Sequence, residues 1–407
     1  MLVLALVLDR ESDPAPPTAR LSEADVARVA KRVERMRGLK FERPVRPRFL
    51  DRDAALELVQ KVSRSGYPER RRRIDAEGLK LLGMLRPSTD LGKAIDSVDE
   101  EQLLGFYDDE SRRLVVIREP GAPRPLLEVT LAHELVHALE DQRFGLQRDE
   151  GLPDDSALAE AALAEGTATA LMVDYADRYL SLGDVLELTN RQASGTLPPV
   201  LEKLLYFPYL EGAKFIAEFR GEDGGWRPID AIFRLRRPVS AEQILHPRRY
   251  ALDERPEHVA IPSLAAALGG TWRRLRATSL GEYDLRLLFD LVGGTRPAGG
   301  AEGWAGGRYE LWRRGAPGDS CSAPCVERDL AYLRVQWDTR RERAEGEREF
   351  VRVWEKGLEG KRLGGRADAW AWSSRGGAIM MRGRGRETTA VLAPDVRLAA
   401  AALAAGL

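Results

Sequence analysis

The chain has 407 residues, more than a single hydrophobic core usually serves, so two domains are expected, with enough length to bury a large core. At 43% hydrophobic and 31% charged residues it reads as a globular protein and not as a disordered or fibrous one. Lys plus Arg (63) balances Asp plus Glu (64), so no net field draws the molecule to nucleic acid or to an anionic membrane, and both lose their main physical warrant as partners.

Residues 1–19 begin with the apolar run Met1 to Leu8 and continue as a polar, Pro-rich stretch. They read as a truncated export signal and linker, or else as a short buried strand. From Ser22, an N-cap with Asp25 three residues on, the stripe Val26, Val29, Ala30 and Val33 predicts a helix ending near Gly38. Phe41 to Leu50, broken by Pro44 and Pro47, predicts an edge strand, and Asp51 caps a further helix carrying Ala54, Leu56, Leu58 and Val59. Arg70 to Arg73 is the conspicuous basic block and reads as a solvated helical face.

Leu103 to Ile117 predicts a β-hairpin around the polar turn Asp108 to Ser111. A helix follows from near Leu126 to Phe144, stopped by Gly145, and an Ala-rich helix from Asp155 to about Leu180 is interrupted only by Gly166. After Val259, Trp and Gly become more frequent. Strands at 309–312, 330–337, 369–372 and 378–381, with a charged helix from Thr339 to about Leu358, predict a second domain. There Cys321 and Cys325 either form a local disulfide or remain two thiols. No stretch is apolar for long enough to span a bilayer. The expected fold class is α+β: a helix-rich domain over 20–260 and a smaller α+β domain over 261–407.

Four histidines occur in the chain, and two of them stand in His133-Glu134-Leu135-Val136-His137, inside the first of the two predicted helices. Histidines four residues apart lie one turn from each other on one face, so both imidazoles can reach a single cation. Glu134 follows the first of them, beside the cation and not on it, where a carboxylate can act as general base toward a bound water. Zinc with an open catalytic position needs a third protein ligand. Neither His246 nor His258 has the short spacing for that, so a carboxylate on the following helix is expected, Glu160 or Glu165. Glu165 is preferred, because Gly166 and Ala168 beside it let the second helix approach the first. Glu160 lies roughly 140° further round that helix and should be a surface residue. Thr169, one turn on from Glu165, and Asp141, one turn on from His137, are candidates for bonds that orient a ligand.

On these residues the chain resembles the gluzincin type of zinc metallopeptidase, in which a helix bearing H-E-x-x-H precedes a helix that supplies glutamate. More narrowly it is similar to a largely uncharacterised microbial group with H-E-L-x-H-A-L-x-D-Q and E-G-x-A-T, matched by His133 to Gln142 and Glu165 to Thr169. Further matches are Gly105 to Asp108, Phe207-Pro208-Tyr209 with Gly212, Glu242 to Pro247 and, more weakly, Gly303-Trp304, Arg308-Tyr309 and Trp337-Asp338. The usual Asp four residues after the glutamate is Thr169 here.

The resemblance implies a zincin-like domain, Zn2+ as cofactor and a peptide or protein substrate. It also implies a His or Tyr from outside the metal helices as oxyanion stabiliser, for which His246, Tyr107 and Tyr209 are the candidates. Members of the group are often exported, which favours a periplasmic or extracellular location over a cytoplasmic one. The alternative is a zinc-stabilised, catalytically silent binding or envelope-associated protein, against which Glu134 argues, since a structural site gains nothing from a general base.

Overall fold

The computed structural model describes residues 20–118, 122–146, 154–181, 184, 197–221, 223–292, 299–316, 324–366, 369–374 and 377–405. The expected export segment, 1–19, and Cys321 lie outside the described residues. The fold is α+β, with a helical N-terminal part and a C-terminal β-sheet region. Arg70–Leu91, Pro153–Ala157 and Val239–Leu407 make one compact unit, and the rest of the chain makes another. The last crossing between the units falls at Pro238 and Val239, before the change of composition near residue 260. Residues 239–259 are short helices that pack with the sheet-bearing unit, as where Ala241 N–H donates to Asp155 Oδ1 at 3.0 Å.

In the helical unit, α1 (Glu23–Arg37) opens with a reciprocal cap: Asp25 N–H donates to Ser22 Oγ at 3.2 Å, and Ser22 N–H to Asp25 Oδ2 at 3.0 Å. Gly38, at φ +69°, ends it in the left-handed conformation that only glycine adopts without strain. Strand β1 (Pro47–Leu50) is an edge strand that begins with Pro47, a position where proline is tolerated, and α2 (Arg52–Gly66) is capped by Asp51. After α3 (Glu69–Leu81), which lies almost wholly in the other unit, and α4 (Leu91–Gln102), the hairpin forms from β2 (Gly105–Asp108) and β3 (Arg113–Ile117). The Asp108 carboxylate closes its turn by accepting from Glu110 N–H at 3.2 Å and from the Ser111 hydroxyl. The three-stranded sheet has the order β1-β3-β2, parallel between β1 and β3 and antiparallel between β3 and β2.

Helix α5 (Arg124–Phe144) is buried from Leu126 to Asp141 except at His137. A helix enclosed on all sides belongs to a core, and each of its charges then needs a partner. Glu128 receives Arg28 and Arg32 from α1 at 2.9 and 2.5 Å, and the Tyr175 hydroxyl of α6 (Asp154–Tyr179) at 2.7 Å. Glu140 receives Arg37 at 2.9 Å with neither side chain exposed, and Arg37 also holds Asp230 at 2.6 Å. Removing one member of such a buried pair costs about 3–5 kcal/mol, because the other charge is left uncompensated.

Helix α6 then crosses the helix Pro199–Arg220 without intervening side chains. A Cβ on Gly166 would lie 2.3 Å from the Gly212 carbonyl carbon, and one on Gly212 would lie 2.2 Å from the Ala162 carbonyl oxygen. The smallness of Gly166 therefore serves this crossing and not an approach to α5.

The basic block also departs from expectation. Arg70 and Arg73 of α3 are exposed, but Arg72 is 1% exposed, and Arg71 pairs with Asp154 and Asp75 in the same unit. The block is therefore not a uniformly solvated face.

The second unit is built on a seven-stranded antiparallel sheet in the order β4-β5-β6-β10-β9-β8-β7. The strands are β4 (Trp272–Ser279), β5 (Trp304–Arg314), β6 (Asp329–Trp337), β7 (Lys361–Arg366), β8 (Ala369–Ser374), β9 (Gly377–Arg384) and β10 (Glu387–Ala393). One face packs the helix Arg340–Arg352, whose last turn widens to a π-helical turn over Val353–Gly357, around Trp304, Trp337, Trp354 and Trp372. The other face packs the helices Ala265–Leu268 and Val396–Ala404 on Trp272, Trp312, Leu330, Tyr332 and Val391. Cys325 is disulfide-bonded. Among the described residues, no helix is long and apolar enough to cross a membrane.

Candidate metal centre

Helix α5 presents His133 and His137 one turn apart, and α6 brings Glu165 to them. His133 Nε2 lies 3.0 Å from His137 Nε2 and 3.1 Å from Glu165 Oε2, and His137 Nε2 lies 3.3 Å from that same oxygen. Donors bound to one tetrahedral zinc at about 2.0–2.1 Å lie roughly 3.3 Å apart, so three edges of this length fit a single cation. The donor set of two imidazoles and a carboxylate is also chemically suited to zinc. Among the described residues, no further His, Cys, Asp or Glu atom joins the group.

The groups are buried: His133 is 0%, Glu134 4% and Glu165 6% exposed. Burial works against the Glu165 charge, but the adjacent imidazoles hold its carboxyl well below the usual carboxylate range. Burial draws the His133 imidazole down, toward the neutral form that a metal ligand must have. Burial opposes charge on His137 too, but Glu165 pushes that imidazole up to about 9.

Glu134 stays out of the cluster. Its Oε2 accepts the backbone N–H of Tyr107, in β2, at 2.7 Å, and burial pushes its carboxyl up to about 7, with His137 acting in the opposite direction. Tyr107, Glu134, His137, Glu160, Glu165 and Arg237 share the lining of one cavity. Glu160 therefore stands on the cavity wall, partly buried, and not out on the surface; only Glu165 reaches the ligand cluster.

The remaining candidates separate. The Tyr107 hydroxyl donates to Asp141 Oδ2 at 2.8 Å, and Asp141 Oδ1 accepts Leu146 N–H at 3.1 Å. Asp141 thus fixes Tyr107 and the exit from α5 instead of contacting a histidine. Burial and Asp141 push the Tyr107 phenol far above its ordinary range. The Tyr209 ring stacks on His133, with ring centres 6.2 Å apart. Thr169 makes no bond to a ligand; its hydroxyl and His133 Nδ1 are both buried without a hydrogen-bond partner. His246 belongs to the sheet-bearing unit, where its Nε2 meets Glu282 at 3.0 Å.

Two features of the site carry no motif in the sequence. One is the backbone N–H that holds Glu134, since every residue but proline has one. The other is Arg237, whose Nη2 donates to the carbonyls of Phe144 and Gly145 at 2.9 and 2.7 Å and so ends α5. A second group, Glu77, Cys325 and Asp329, has metal-like spacing, but Cys325 is disulfide-bonded, and Asp329 and Glu77 pair with Arg313 at 2.6 and 3.4 Å. It holds no free thiolate and no idle carboxylate.

Residues 271–403 match a family described as a domain of unknown function (DUF8575), which takes in all seven strands of the larger sheet. No curated protein and no solved structure matches the chain.

Proposed function

We propose that the chain is a zinc-dependent hydrolase of gluzincin type that cleaves peptide bonds in a peptide or protein substrate. The observation that carries this reading is the convergence of His133, His137 and Glu165 at 3.0–3.3 Å, with the Glu134 carboxyl in the same cavity but bonded elsewhere. Zinc held by those three side chains would supply Lewis acidity toward a carbonyl and toward water.

Glu134 does the proton work. A carboxyl raised by burial toward neutrality takes a proton from the attacking water and returns it to the leaving amine more readily than an exposed one would. The Tyr107 N–H holds one carboxylate oxygen, which leaves the other to face the substrate. Peptide specificity rests on the resemblance carried by His133 to Gln142 and Glu165 to Thr169; the geometry by itself supports hydrolysis.

The test is elemental analysis together with hydrolysis of a mixed peptide library on the purified chain, beside Glu165→Ala and Glu134→Gln. Zinc near one per chain in wild type and Glu134→Gln, lost in Glu165→Ala, with cleavage by wild type alone, is the expected result. Zinc without cleavage would favour the silent binding protein, and absence of zinc from wild type would end the proposal.

A further inference from the structure

The antiparallel register of the larger sheet puts a basic cluster on one of its faces, within the second unit. Residues paired across antiparallel strands project to the same side. Gln336, Glu387 and Arg384 form one such row across β6, β10 and β9, and Arg334, Thr389 and Arg382 form the next. The row after that, Tyr332, Val391 and Met380, belongs to the apolar core beneath the helix Val396–Ala404. The face therefore has a covered apolar end and a polar end where Gln336, Glu387, Arg334 and Arg382 are half-buried and Arg384 is exposed.

At the polar end the sheet, the start of the helix Arg340–Arg352 and the β9–β10 turn border an open cleft of about 830 Å³, within the usual range for small-molecule sites. Five arginines line it: Arg334, Arg340, Arg382, Arg384 and Arg386. Its two carboxylates already have partners, Glu387 with Arg334 at 2.7 Å and Asp338 with Arg249 at 2.8 Å, while Arg386 is held by Glu257 at 3.1 Å. Arg340, Arg382 and Arg384 have no carboxylate partner among the described residues. The Nε of Arg334 is buried without any partner.

We propose that this cleft binds a soluble anion carrying two or more phosphoryl groups. Guanidinium groups meet phosphate oxygens through paired N–H donors, and several unneutralised ones in one cleft repel each other until an anion enters. The lining chemistry selects among phosphoryl compounds. No aromatic ring is present for a base to stack on, which disfavours single-stranded nucleic acid, and no apolar side chain is present to enter a lipid surface. The site lies within the segment that matches the domain of unknown function and is independent of the metal centre.

The experiment is calorimetric titration of the full-length chain with inorganic pyrophosphate at low ionic strength, for wild type, R382Q/R384Q, R382K/R384K and, as an exposed control on α1, R35Q. Wild type and R35Q should bind at one site per chain. R382Q/R384Q should lose about tenfold or more in affinity, as expected for a missing charge-assisted contact, and the lysine pair should fall between them. Thermal melts on the same samples should coincide, because both positions lie on the solvent end of β9. Binding by R382Q/R384Q within about twofold of wild type, an equal loss in R35Q, or no binding by wild type would overturn the proposal. So would capture by phosphatidic acid vesicles without any pyrophosphate binding.

Discussion

Glu134 and Tyr107 are joined through a backbone group: the Tyr107 N–H donates to Glu134 Oε2 at 2.7 Å, while the tyrosine hydroxyl is turned to Asp141. The contact that holds Glu134 thus survives substitution of the tyrosine side chain. Tyr107→Phe should keep its zinc and most of its turnover and lose about 1 kcal/mol of stability, the worth of one buried hydrogen bond. Melts and kcat/KM measured on one preparation check this. If Tyr107 stabilised the oxyanion, kcat would instead fall by roughly 10²–10³.

Glu134→Gln keeps a carbonyl oxygen to accept the Tyr107 N–H, so the side chain should stay in place. What it loses is the capacity to take a proton. Turnover should drop by about 10²–10⁴ with zinc content and melting temperature nearly unchanged. A variant that also lost its metal would mean that Glu134 acts as a ligand.

Metal bound only by the folded chain stabilises it by mass action, about 2.7 kcal/mol at a hundredfold excess over Kd. A chelator should therefore lower the melting temperature of wild type, with recovery on adding zinc. Glu165→Ala should start lower and respond to neither. An identical chelator response in the two proteins would remove Glu165 from the ligand set.

Asp155, in the sheet-bearing unit, gives a separate pH dependence. Burial, with help from Asp284, pushes its folded carboxyl up from the ordinary 3.8 to about 8. Between those values the folded chain keeps a proton that the unfolded chain has released, so stability falls as pH rises across the window. Asp155→Asn can still accept the Ala241 N–H through its carbonyl and carries no charge. It should be more stable than wild type at about pH 8, with the difference closing toward about pH 4. Denaturant melts across that range would show the opposite slope if the folded carboxyl ionised early.

Local signals in the sequence served well where local physics decides. The cap at Ser22, the stop at Gly145 and the turn at Asp108 rest on contacts a few residues long, and all three occur. His133, His137 and Glu165 were expected together from helical spacing on α5, the small residues beside Glu165 and the quoted E-G-x-A-T match, and their three atoms do converge. Distant partners were hidden. Gly166 read as room for α5, but its neighbour is Gly212, and nothing near Asp141 in sequence announced Tyr107 as its partner.

The sheet was partly visible, since β5, β6, β8 and β9 follow the expected strands while β4, β7 and β10 went unread. Lys361–Arg366 is rich in Gly and Arg and lacks the β-branched alternation that marks a strand; Trp272–Ser279 is interrupted by a bulge between Arg274 and Arg276.

The crossing of α6 with the helix Pro199–Arg220 bears on how Glu165 is held. Gly166→Ala or Gly212→Ala should each cost about 1–3 kcal/mol or more through overpacking and should lower zinc affinity by moving the neighbouring Glu165. A second substitution elsewhere can usually relieve such a clash by trimming the offending side chain. Here the obstacles are the Gly212 carbonyl and the Ala162 carbonyl oxygen, which every amino acid carries. A search for suppressors of either alanine variant should therefore return the original glycine and no compensating partner. Mutational drift at these two positions is closed in a way that it is not for His133 and His137, where the proposed role in holding a metal could in part pass to another metal-binding side chain.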